Sequence, residues 1–120
     1  MILVSPVCDQ VRGSGSHVLV GSVADAQGFS GNSAYAASKY GVRGLHEVLA
    51  EELRGTGVRA TLVEPAATDT PAWDPYDPDH RPDLPDRAQM LAPADVAEAV
   101  LFAATRPPGV RLPLLRIERG

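Results

Sequence analysis

The chain has 120 residues, 44% of them hydrophobic and 22% charged, which suits one folded domain and excludes wholesale disorder. Its 15 acidic and 11 basic residues leave a net charge of -4, which argues against a nucleic-acid surface. A single cysteine, Cys8, excludes an internal disulfide or a cysteine metal cluster, and no apolar run approaches the roughly 20 residues of a bilayer span.

Residues 1–16 read as a lead-in and linker. Pro6 discourages a helix interior, residues 7–12 suit a last helical turn, and Gly13-Ser-Gly-Ser16 reads as a turn. No basic n-region opens the chain, so the expected compartment is the cytoplasm. Residues 17–21 form a short apolar run of the kind found in buried parallel strands, followed by a glycine-containing loop over 22–32. A helix is predicted over 33–54, with Asn32 or Ser33 as cap, Val42, Leu45, Leu49 and Leu53 as its apolar stripe, and Gly55 and Gly57 as its stop. A second strand is predicted over 58–63. Seven of the 11 prolines and six aspartates then fall within 65–93, a long irregular segment of the sort that serves as a functional lid. Pro93 suits the first turn of a further helix, and 112–118 reads as a last strand, placed at an edge by Pro113. The alternation predicts an α/β fold with a parallel sheet: strand–helix–strand over 17–64, a lid over 65–92, and a helix and last strand over 93–120.

The chemistry concentrates around the long helix. Tyr35 and Lys39 are four residues apart and share one helix face. A free phenol, with a pKa of about 10, is a poor acid or base near neutrality, and a nearby ammonium favours its anion. The basic residues are ten arginines and one lysine, so the placement of Lys39 carries information. Ser22 stands at the carboxyl end of a predicted strand, where open α/β sheets bind their ligands, and its hydroxyl can meet a substrate oxygen that gains charge. His17, His46 and His80 are scattered without metal-ligand spacing, so no metal is expected.

A serine, Ser22, thirteen residues before Tyr35-x-x-x-Lys39, with Asn32-Ser-Ala-Tyr-Ala-Ala-Ser-Lys-Tyr-Gly-Val42 around the pair, resembles the short-chain dehydrogenase/reductase family and its active-site helix. Val63-Glu-Pro65-Ala66-Ala67-Thr68-Asp69-Thr70 is similar to that family's P-G-x-x-x-T segment, with Ala66 in place of the usual glycine. The resemblance implies the C-terminal half of a doubly wound Rossmann-type parallel sheet, about three strands with flanking helices. It implies Ser22, Tyr35 and Lys39 as the catalytic set, with Tyr35 exchanging the proton, Lys39 holding the nicotinamide ribose and Ser22 polarising the carbonyl. It implies NAD or NADP as cofactor, held by Tyr35, Lys39, Pro65, Thr68 and Thr70, and a small alcohol or carbonyl substrate near Val23, Ala24, Ala66 and Trp73. The 33–54 helix resembles the family's oligomer-forming helix, which implies a homo-oligomer.

The family's glycine-rich phosphate turn, the residue that chooses between NAD and NADP, and the asparagine completing its catalytic tetrad have no counterpart in these 120 residues. Gly13-Ser-Gly15 precedes a strand and opens no helix, so it reads as a linker. Three expectations therefore stand side by side: a hydride-transferring oxidoreductase; a non-catalytic truncated remnant or a half-domain that depends on association, with an exposed apolar strand edge at 18–20; and an unrelated small α/β binding domain.

Overall fold

The computed structural model describes residues 13–25 and 30–120. The expected turn at 7–12, Cys8 and the glycine at 28 lie outside those residues. Three strands, β1 (Gly15–Val20), β2 (Val58–Pro65) and β3 (Leu114–Ile117), form one parallel sheet in the order β1-β2-β3. Two helices, α1 (Ser33–Glu52) and α2 (Pro93–Ala104), connect them, as the alternation of elements predicts.

β2 is the centre of the sheet, and residues 60–64 along it are buried. Alternate residues face opposite layers. Ala60 packs with Leu49 of α1 and with Leu53 just past its end, and Leu19, Ala50 and Val58 close around them. Arg59, on the other face, donates to the carbonyls of Arg106 at 2.7 Å and Val110 at 3.0 Å, beyond the end of α2. Leu62, further along β2, is 1% exposed. Leu62→Ala is expected to cost about 2–5 kcal/mol, read from the urea midpoint.

Four predicted boundaries shift. β1 begins at Gly15, inside the expected linker, because Gly15 and Ser16 pair with Val58 and Arg59 of β2. β2 runs on to Pro65, because Glu64 and Pro65 pair with Arg116 and Ile117. α1 ends at Glu52, and Gly55 and Gly57 follow at φ of 79° and 83°. β3 shortens to four residues, although the carbonyl of Pro113 still accepts from the Leu62 N–H at 3.1 Å. At the start of α2, Pro93 occupies the first turn, and the Asp95 carboxylate accepts from the Ala92 N–H at 3.3 Å.

The expected stripe on α1 is also rotated. Leu49 and Leu53 are buried, but Leu45 is 42% exposed, and His46 lies inside at 6%. Its Nδ1 has no hydrogen-bond partner among the described residues. Burial holds the His46 pKa below 6.5, against a backbone hydrogen bond to Pro113 and the nearby Glu47, which favour the cation, while His17 and Arg111 oppose it. The unfolded chain therefore takes up a proton near pH 6.5 that the folded chain refuses, and stability falls as pH drops below that value. His80 works the other way, raised by its hydrogen bond to Asp77. His46→Leu should flatten the acid-side decline in urea stability relative to the parent chain.

Candidate functional site

α1 opens at Asn32, whose carbonyl accepts the Ala36 N–H at 2.9 Å; Gly31, at φ 76°, turns the chain into the helix. Neither Asn32 nor Ser33 caps it by side chain: Asn32 stands at the N-cap without such a bond. Tyr35 lies in the first turn and is 45% exposed. The Lys39 Nζ sits 5.6 Å from its ring centroid, so the phenol and the ammonium are neighbours across one turn. Ser38 Oγ donates to the Tyr35 carbonyl at 2.7 Å and ties this turn together.

Ser22 reaches the same end of the sheet. The Gly21 N–H donates to the Val63 carbonyl at 2.8 Å, extending the ladder beyond the Val20–Val63 pair. Ser22 and Pro65 therefore stand at one level, at the carboxyl ends of β1 and β2. Ser22 is 9% exposed, and its Oγ accepts the Ala24 N–H at 3.2 Å, which leaves the hydroxyl proton to be donated elsewhere. The 3-10 turn Val23–Asp25 packs against α1. Val23 is half-buried, whereas Ala24 is buried at 2% exposure.

Pro65, Ala66, Thr68, Thr70 and Trp73 form a second cluster. The Ala66 N–H donates to the Ile117 carbonyl at 2.9 Å, and Thr68 Oγ1 donates to the Ala66 carbonyl at 2.9 Å. Leu91 bridges Thr68 in strand fashion. The Trp73 indole donates to the Thr68 carbonyl at 2.9 Å and meets Tyr76 edge-on, so its polar end is already engaged. Thr70 precedes the 3-10 turn Pro71–Tyr76, and two more such turns, Pro78–His80 and Arg87–Gln89, complete the proline-rich segment. Arg87 knits it: the guanidinium binds Asp69 at 2.5 Å and Asp74 at 2.6 Å, and the Arg87 backbone N–H donates to the Asp79 carboxylate at 2.8 Å.

Sequence reasoning missed Arg87 and a charge cluster in which Arg43 and Arg116 meet the buried Glu64. The available signals were a basic residue within an acid-rich segment and a carboxylate ending an apolar strand. A cavity of about 240 Å³ lies at the opposite, amino-terminal end of β2, lined by residues including Leu53, Gly57 and Arg111. Among the described residues no group of three His, Cys, Asp or Glu is placed to hold a metal ion, and no helix is long and apolar enough to cross a membrane.

A family model for short chain dehydrogenases matches residues 2–81, two thirds of the chain. The chain belongs to the short-chain dehydrogenase family. It is 32% identical over 101 residues to an uncharacterized oxidoreductase of Staphylococcus aureus (strain USA300), an alignment covering 84% of this chain and 41% of that protein. The crystal structure of a short-chain dehydrogenase/reductase family oxidoreductase from Burkholderia thailandensis superposes with a TM-score of 0.73 at 30% identity, over 91% of this chain and 45% of that one. The closed form of a serine dehydrogenase complexed with NADP+ superposes at 0.71 with 28% identity, over 88% of this chain and 44% of that one. The chain thus spans about two fifths of the length of the curated relatives it matches. Among the described residues, three parallel strands with flanking helices make a Rossmann-like α/β arrangement shared with short-chain dehydrogenase structures.

Proposed function

We propose that this chain supplies the proton-transfer half of an NAD(P)-dependent oxidoreductase site acting on a small alcohol or carbonyl. The observation that carries this reading is the Tyr35–Lys39 pair on one turn of α1, at the sheet end where Ser22 and Pro65 stand level. Tyr35 Oη exchanges a proton with the substrate oxygen. Lys39, one turn along the same helix face, presents its ammonium to a ribose diol. Ser22 donates its free hydroxyl proton to the same substrate oxygen and orients it.

The residues fit the nicotinamide end of the cofactor. Lys39 is half-buried, and among the described residues no carboxylate pairs with it, so its donors are available to hydroxyl acceptors. The carbonyls of Thr68 and Thr70 already accept from Trp73 and Arg87, and the Thr68 hydroxyl already donates to Ala66, which leaves the Thr68 backbone N–H and the Thr70 donors to contribute. When bound, the nicotinamide supplies or accepts the hydride. Trp73 and the proline-rich segment around it form the substrate lid in this reading.

Calorimetric titration of the 120-residue protein with NADP(H) and with NAD(H) tests the proposal. Binding that is lost in Lys39→Ala supports it; no heat with either cofactor at millimolar concentration overturns it for this chain.

A second reading is favoured by one observation. β1 is an edge of the described sheet, with Val20 47% exposed. A half-domain completed by association accounts for that edge. α1 offers a route to self-association as well, through exposed Leu45 and Val48. Analytical ultracentrifugation with hydrogen exchange decides: a protected monomer that turns over substrate sinks this second reading.

A further inference from the structure

Glu64 has no exposed surface, yet it carries a carboxylate. Its Oε2 accepts from Arg116 Nη2 at 2.7 Å and Nε at 3.0 Å, and Oε1 lies 3.6 Å from Arg43 Nη1. Arg116 is its cross-strand neighbour on β3, and Arg43 reaches down from α1. One buried carboxylate therefore joins three elements.

Stability does not explain this arrangement. Removing the Glu64 carboxylate from water costs several kcal/mol, which its attraction to Arg116 and Arg43 roughly offsets, since those two guanidiniums keep 42% and 35% of their side-chain surface exposed; a well-packed apolar residue serves stability equally well or better. What charge adds is direction. The two oxygens are held toward different elements, which selects one longitudinal setting of the helix against the strands.

The location gives that setting a consequence. Tyr35, Lys39 and Arg43 recur at four-residue steps along one face of α1. Glu64 immediately precedes Pro65, where the loop carrying Thr68 and Thr70 departs. We propose that Glu64 is a positioning residue: through Arg43 and Arg116 it fixes the spacing between the Tyr35–Lys39 face and the Thr68–Thr70 loop. The catalytic meaning of that spacing rests on the function proposed above; the spacing itself does not.

The test needs no ligand. A nitroxide attached at Ala37→Cys, in a Cys8→Ser background, reports its distance to the Thr68 and Thr70 methyl groups through paramagnetic relaxation, with Thr105 as reference. Two variants are compared with the parent: Glu64→Gln, and the apolar triple Arg43→Met, Glu64→Leu, Arg116→Met. The expected result is a folded triple variant with an unchanged or raised urea midpoint, in which the enhancements at Thr68 and Thr70 shift relative to Thr105; folded Glu64→Gln shifts them too. Unchanged enhancements in either folded variant overturn the proposal, because a merely structural triad moves the midpoint alone. A triple variant that cannot fold also overturns it, since the triad would then be carrying stability itself. A parent chain that binds no nicotinamide cofactor defeats the proposed function and leaves this measurement intact.

Discussion

Tyr35→Phe should lower kcat for nicotinamide-dependent turnover by about 10²–10⁴-fold, the usual contribution of a positioned general acid–base group. The substitution deletes one oxygen and keeps the ring. The ring lies 5.6 Å from the Lys39 ammonium, and that contact survives in phenylalanine. Tyr35 is 45% exposed in the first turn of α1, so no core packing is lost and the urea midpoint should stay close to that of the parent. Cofactor binding by calorimetry should persist while turnover is lost. Retention of more than about a tenth of the parent rate would remove the phenol from the chemistry.

A large expected effect on stability comes from a backbone position far from that chemistry. Gly57 sits at φ 83° just before β2, and a Cβ built on it would fall 2.1 Å from the Gly13 carbonyl oxygen. Gly13 cannot easily withdraw, because Gly15, two residues on, is held in register with Val58. Gly55 has a similar φ of 79° but nothing within 4 Å of its Cβ position. Gly55→Ala should therefore cost about 1–2 kcal/mol for the left-handed backbone alone. Gly57→Ala should cost roughly 2–4 kcal/mol, since the β1–β2 pairing must also give way. Urea titrations of the two variants side by side separate the clash from the strain; equal midpoints would show that the Gly13 contact relaxes freely.

The local features were the legible ones. Tyr35 and Lys39 meet because four residues make about one helical turn, which sequence spacing states outright. Ser22 and Pro65 each read as the carboxyl end of a strand, and only the Val20–Val63 register sets those two ends level. Features that depend on register between distant segments were illegible. β1 starts at Gly15 because Val58 is there to pair with it, and nothing in Gly-Ser-Gly-Ser announces that. The phase of α1 was misjudged because Arg43 and His46, polar residues, face the sheet while Leu45 faces out. Glu64 and Arg116 become partners only through a pairing across 52 residues of chain. Arg87 gathers Asp69, Asp74 and Asp79 only once three short turns have folded the segment back on itself.

The all-parallel sheet bears on how the site comes into being. Val20 pairs with Val63, and Pro65 with Ile117, separations of 43 and 52 residues. No strand pairing in the described sheet is local, so loop closure must be achieved before either ladder returns any free energy, and folding should be slow for a chain of this size. The phenol and the ammonium, by contrast, are brought side by side by helix geometry alone, at the earliest stage at which α1 forms. Their distance from Ser22 and from the Thr68–Thr70 loop is settled only when the crossovers close. The proton-handling pair and its surroundings are thus assembled at different times, and the slower event decides when the site exists.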